Sequence, residues 1–273
     1  MANTLVQDLI EAGIHFGQRA SGWNPKMGPY IYGKRNGIHI IDIKETVKGL
    51  LLAKRFITNT VSEGRDVCFV GTKRQAKSVL EQRVADVKMH YVTERWLGGT
   101  LTNFRTIRLR LKRLMELEAI EAQDNFASYS KKMESQLKRE MRKIKRNLDG
   151  IRHMEKIPGV LVVIDVRREL TALKEARKLG IPTICLIDTD GDPDLADIPI
   201  PGNDDSMRSI DVIIRELCLA VADGRQRRQM QAEAGAAPAG EGGQGGDARP
   251  RRSRRAQYSA SSEAGSETVP PTA

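Results

Sequence analysis

Residues 67 to 77, VCFVGTKRQAK, place an apolar run, a glycine, a lysine and a helix-like polar stretch in direct succession. A strand, a glycine turn and a helix with a cation at its mouth form a geometry that holds phosphates. Backbone N–H groups at a helix N-terminus and the helix dipole both favour an anion there. Nucleotide chemistry asks for more. The phosphate loop G-x-x-x-x-G-K-[ST] needs a second glycine directly before its lysine, whereas Gly71 stands alone and no G-x-G-x-x-G occurs. Two readings stay open: Gly71 only lets a strand turn tightly into a helix, or Lys73 and Arg74 present charge to a phosphate.

Other residue types with chemical potential fail their spacing tests. His15, His39, His90 and His153 are scattered, and neither G-x-S-x-G nor H-E-x-x-H is present. Asp188, Asp190, Asp192 and Asp194 alternate in IDTDGDPDLAD as in a calcium loop, but the sixth and twelfth positions hold Pro193 and Pro199 in place of Gly and Glu. Carboxylates just after a strand could still hold a magnesium ion, though an Asp-rich turn is the more economical reading. Cys68, Cys185 and Cys218 lie far apart within apolar runs, the pattern of buried small hydrophobes in a reducing compartment. No catalytic residue, metal ligand or cofactor is expected.

Residues suited to RNA fall in two patches. WNPKMGPYIYGKRNG combines Trp23, Lys26, Tyr30, Tyr32, Lys34 and Arg35, and TERWLGGTLTNFRTIRLR combines Arg95, Trp96, Gly98, Gly99, Asn103, Arg105 and Arg108. Glycines allow backbone to approach a phosphate chain, and Arg beside aromatics can pair phosphates or stack on bases. Trp23 reads as packing; Trp96 is open between packing and an RNA surface. The 273-residue chain carries 45 Lys and Arg against 35 Asp and Glu, a net charge of +10, which favours polyanionic partners.

The elements that must position these residues alternate. Ile38–Ile41, Val67–Val70, Val160–Ile164 and Ile184–Ile187 read as short buried strands, and Tyr91-Val92 adds a fifth. Helical stretches cover 44–59, 74–87, 169–179 and 209–222, which implies a parallel sheet between two helical layers. From 104 to 151 apolar residues recur every three or four positions, interrupted by QDNFASYS, as in an antiparallel helical hairpin. Between Arg105 and Lys156 about fifteen basic residues face eight acidic ones, so this insertion holds most of the excess charge, either as a solvated face or against an acidic partner. The Ala, Gly, Ser and Pro composition after Gly224 reads as a disordered tail over 225–273, in which PRRSRR either touches phosphates or solubilises. No apolar run approaches a membrane span and the N-terminus lacks a signal-peptide pattern, so a cytoplasmic location is expected.

In order, GIHFGQRASGWNPKM, YIYGKRNGIHIIDIKET, VGTKRQA, RWLGGTLTNFRT, IDTDGDPD and IPGNDDSMRSI resemble the bacterial small-subunit ribosomal protein S-two family over residues 3 to 224. The resemblance implies a flavodoxin-like α/β domain (1–103 and 152–224) with an inserted antiparallel coiled-coil hairpin (104–151) and no enzymatic activity. It also implies a ribosome-bound place between head and body of the small subunit, contact with ribosomal RNA and other small-subunit proteins, and help in docking the large RNA-binding ribosomal protein S-one. Lys26, Lys34, Arg35, Lys73, Arg74, Arg95, Trp96, Asn103, Arg105 and Arg108 are the residues expected to meet RNA. His-Phe-Gly-His is frequent in the family, whereas Gln18 follows Gly17 here, so a metal shared with the Asp-rich loop is not expected. The rival readings are a nucleotide-binding α/β enzyme using the Gly71 turn, and a free-standing scaffold for acidic proteins.

Overall fold

A computed structural model describes residues 2–124, 126 and 129–236. Helix α1 (Ala2–Glu11) leads into strands β1 (Phe16–Arg19), β2 (Ile31–Arg35) and β3 (Ile38–Ile41). These three form their own antiparallel sheet in the order β1-β3-β2. Ile38–Ile41 is thus a strand as its sequence predicts, but it lies outside the parallel sheet. The turn Asn36-Gly37, both at positive φ, closes β2 onto β3 as a hairpin, and a hairpin partner needs no crossover helix.

Next come α2 (Ile43–Ser62), β4 (Val67–Val70), α3 (Arg74–Asp86) and β5 (His90–Val92). The helical pair α4 (Phe104–Asp124) and α5 (Lys131–Leu148) follows. The chain then returns through β6 (Val160–Ile164), α6 (Leu170–Leu179), β7 (Thr183–Ile187) and β8 (Ile198–Pro201) to α7 (Met207–Ala236). All pairings in the second sheet are parallel, in the order β5-β4-β6-β7-β8. Counted within that sheet the order is 2-1-3-4-5, the flavodoxin-like arrangement.

Strand side chains alternate between two apolar layers. Phe69, Val162 and Leu186 join α2, α3 and α7 on one face, while Cys68, Val163 and Cys185 join α6, α4 and α5 on the other. Burial on both faces is why these runs are continuously apolar. Asp42 starts α2, its carboxylate accepting from the Lys44 N–H at 2.9 Å, and Gly180, at φ 67°, ends α6 in the left-handed conformation. On α4, Ile107, Leu111, Leu114 and Leu117 are buried, and on α5 Met141, Ile144 and Leu148 are buried, which makes the facing seams of the pair.

α7 runs through Gly224 to Ala236, twelve residues into the stretch expected to be tail; the remainder of that stretch, 237–273, lies outside the described residues. Gly224 is tolerated in the helix because a Cβ there would meet the Thr58 carbonyl of α2 at 2.8 Å, so the two helices pack backbone to backbone. Among the described residues no helix is long and apolar enough to cross a membrane.

Candidate nucleic-acid interface

In a doubly wound sheet the ligand crevice opens where the strand order reverses, outside the carboxyl ends of the strands. Here that point lies between β4 and β6, and it receives Gly71-Thr72-Lys73 from one strand and Asp165 from the other. The Lys73 ammonium lies 2.7 Å from Asp204, 2.9 Å from Asp205 and 3.1 Å from Asp165. Burial works against this ammonium, yet Asp204, Asp205 and Asp165 outweigh it and hold its pKa above the usual lysine value. Three carboxylates around one cation leave the most deeply buried of them poorly compensated. Burial pushes Asp204 up to about 8 despite the attraction of Lys73.

The neighbouring Asp188 is pushed up to about 6, by burial and then by the charges of Asp190 and Asp205, against the Thr189 N–H that donates to it. Carboxylate oxygens of Asp188, Asp204 and Asp205 lie within 4.8 Å of one another, close enough for one cation. Lys73 meets Asp204 and Asp205, and Asp188 is met by neutral donors alone. The Gln18 amide donates to Asp205 at 2.5 Å and to Asp188 at 3.3 Å, and an amide N–H offers no lone pair to a metal. The crevice is therefore acidic, and Lys73 is turned into it rather than toward solvent. Phosphate would meet repulsion here.

Gly71 has a different reason from the turn expected of it. Its φ is ordinary, but a Cβ would approach Leu80 to 2.9 Å, Ile164 to 3.1 Å and Ala76 to 3.3 Å. The glycine lets α3 sit directly on β6, and the adjoining Thr72 is tied by its N–H and hydroxyl to Glu169.

The loop from β5 to α4 is built around a residue that the sequence did not single out. Glu175 of α6 is 8% exposed and takes five hydrogen bonds. One carboxylate oxygen accepts from the Trp96 indole N–H (3.1 Å) and the Gly99 N–H (2.7 Å). The other accepts from the N–H groups of Leu101 (3.0 Å) and Thr102 (3.1 Å) and from the Thr102 hydroxyl (3.2 Å). Burial alone would raise its pKa; these donors reverse that and hold it below the usual carboxylate range. Gly99 adopts φ 90°, which turns its N–H inward to the carboxylate. Trp96 is 7% exposed, so its ring faces the core and not a surface where a base could stack. The signal available in sequence was weak: one Glu on the inward face of a helix, 79 residues beyond its indole partner.

The ten residues expected to meet RNA divide sharply. Lys26 lies 2.9 Å from Asp192 and 2.7 Å from Asp194, and pins the N-terminal loop to the Asp-rich turn. Lys73 and Trp96 face inward. Asn103 starts α4, its carbonyl accepting from the Thr106 and Ile107 N–H groups, and Arg108 donates to the Glu155 carbonyl at 2.7 Å. Lys34, Arg35, Arg74, Arg95 and Arg105 are exposed and have no carboxylate in ion-pair reach among the described residues.

Two of these five extend from the antiparallel sheet beside Tyr32, whose ring is 80% exposed, and Trp23 rests on His39 with ring centroids 5.0 Å apart. That sheet is fastened to the end of β7. The Gln18 N–H donates to the Thr189 hydroxyl at 2.9 Å and the Asn24 N–H to the Thr189 carbonyl at 2.8 Å. Arg74 opens α3, Arg95 stands on the Glu175-held loop and Arg105 lies in the first turn of α4.

The chain is similar throughout this framework to proteins of the translation machinery. A small ribosomal subunit protein uS2 from Rhodopirellula baltica is 55% identical over 240 residues, 87% of this chain and 92% of the relative. One from Syntrophobacter fumaroxidans is 46% identical over 234 residues, 86% of this chain and 85% of the relative. A small ribosomal subunit protein uS2c from Guillardia theta is 48% identical over 217 residues, 80% of this chain and 92% of the relative. The family model described as ribosomal protein S2 matches residues 9–224, which spans both sheets, the Lys73 crevice and the Glu175-held loop, and the chain belongs to the ribosomal protein S2 family.

Proposed function

We propose that this chain is a structural constituent of the small ribosomal subunit that binds ribosomal RNA between head and body and helps to dock ribosomal protein S-one. The single observation that carries RNA contact is the set of exposed cations Lys34, Arg35, Arg74 and Arg95, which have no carboxylate partner among the described residues. A cation left unpaired by its own protein is free to displace counterions from phosphate, and that release drives most of the affinity for RNA. Ribosome membership follows from kinship, since the relatives bear the name small ribosomal subunit protein.

The rival nucleotide-binding reading loses its site, because the crevice it requires is lined by Asp165, Asp188, Asp204 and Asp205 and holds the chain's own ammonium. Replacing Arg74 and Arg95 by Ala should weaken binding to ribosomal RNA. For every phosphate that these arginines no longer neutralise, the slope of log affinity against log salt should also become shallower by about 0.7 to 0.9. An unchanged slope would overturn the assignment of these two arginines. Specific thermal stabilisation by one nucleotide, with no co-sedimentation with small subunits, would overturn the wider reading.

A further inference from the structure

Helix α4 carries a second stripe besides the seam it turns to α5. Arg105, Leu109, Lys112 and Met115 recur at intervals of four, three and three and so share one face. Leu109 is 60% exposed and Met115 is 54% exposed. Across from them stands the segment Arg152–Glu155, linked to α4 by the Arg108 bond to the Glu155 carbonyl, and between the two walls runs a groove of about 1100 Å³ with Met154 in its lining.

The cations around this groove are not equivalent. Arg152 is held by Glu118 at 2.5 Å and Asp149 at 3.5 Å, and Arg108 by the Glu155 carbonyl. Arg105 and Lys112 have no acidic partner among the described residues. They stand two turns apart, about 10.5 Å along the helix, with Leu109 between them. An apolar floor bounded by two uncompensated cations selects its partner by two criteria at once. A phosphate backbone would satisfy the cations and leave Leu109 and Met115 against sugar and water. An amphipathic helix with acidic flanks would satisfy both, since its apolar side chains at i, i+3 and i+4 fill such a floor while carboxylates reach the rim.

We propose that this α4 groove docks a short, acidic, amphipathic helix of a neighbouring protein in the small subunit. Apolar side chains of that helix lie on Leu109 and Met115, and two of its carboxylates meet Arg105 and Lys112. The neighbour's location rests on the small-subunit reading above, so the experiment tests the two separately.

A photo-reactive benzoylphenylalanine placed at position 115 of the full chain is irradiated in purified small subunits, and the adduct is digested with nuclease and mapped by mass spectrometry. The expected adduct is a nuclease-resistant one, mapped to an acidic protein segment with apolar residues every three or four positions. Its yield should fall at least tenfold when Leu109→Lys is added, and equally with Arg105→Glu and Lys112→Glu together; the second pair lies wholly on the exposed rim and leaves the fold intact. Leu109→Lys adds positive charge, so an RNA occupant would be retained or strengthened by it. An RNA adduct, a protein segment without that acidic and apolar pattern, no adduct within small subunits, or yields insensitive to both variants would each overturn the groove proposal. Absence of the chain from the small-subunit fraction would instead overturn the function proposed above.

Discussion

Glu175→Gln replaces one oxygen by an NH₂ group and removes one charge, yet the geometry makes it a severe perturbation. The carboxylate accepts two donors on one oxygen and three on the other. A glutamine has one acceptor oxygen, so its amide N–H₂ must face at least two N–H donors whichever way it is turned. Two buried donors left without acceptors cost on the order of 1–3 kcal/mol each, and the bonds that survive lose their charge assistance. A loss of about 3 kcal/mol is expected, limited by the point at which the loop opens and water replaces the missing acceptor.

The assay is amide hydrogen exchange at Gly99, Leu101 and Thr102. At about 1.4 kcal/mol per tenfold, their exchange should accelerate roughly a hundredfold in Glu175→Gln while the β6 amides hardly change. Acid provides the internal control. Because the folded pKa of Glu175 is depressed, its contribution is complete above the ordinary glutamate value of 4.5 and is lost as pH falls through the folded value. The difference between wild type and variant should therefore be constant from pH 7 to about pH 5 and should shrink in stronger acid. Acceleration below threefold, or a difference that persists undiminished at pH 2, would refute the claim that this carboxylate shapes the loop.

Lys73→Met should destabilise the domain by about 3–5 kcal/mol, since it leaves Asp165, Asp204 and Asp205 facing one another without a cation; urea denaturation measures it, and a loss below 1 kcal/mol would count against the crevice as an ion cluster. Gly71→Ala should cost about 1–3 kcal/mol through the approach of its Cβ to Leu80 and Ile164, read as a lower thermal midpoint. Gly49→Ala sets helix propensity, a gain of about 1 kcal/mol, against a Cβ placed 2.5 Å from the Pro199 carbonyl, and a net loss in denaturation midpoint is expected because backbone cannot step aside. Arg35→Ala and Arg74→Ala should leave stability within about 0.5 kcal/mol of wild type, because both side chains are exposed and unpaired among the described residues; a larger drop would mean that they have a structural partner.

The parallel sheet was legible because its strands are buried on both faces and are continuously apolar, so Val67–Val70 and Val160–Ile164 stand at the positions that the sequence predicts. β8 escaped notice because Pro199 and Pro201 disguise it. At the sheet edge a proline loses only a hydrogen bond it would not have made inward, so IPIP can still pair with β7. β1 and β2 were missed for the opposite reason: FGQR and IYGKR are half exposed and polar, and only the hairpin partner makes them strands. Among the expected RNA contacts, charge alone could not separate Lys34, which is exposed, from Lys26 and Lys73, whose carboxylate partners lie more than 90 positions away. Glu175 stayed hidden because its meaning is entirely in the donors that surround it.

The crevice between β4 and β6 bears on how this chain differs from enzymes built on the same sheet. Where such proteins open a vacancy that a diffusing metabolite fills and empties, Lys73 stands at the reversal point and links the ends of β4, β6 and β8 through its three aspartates. The platform that presents the exposed cations is thereby braced from within by the protein's own ions, a property suited to a building block whose shape must be the same in every copy of the assembly it joins.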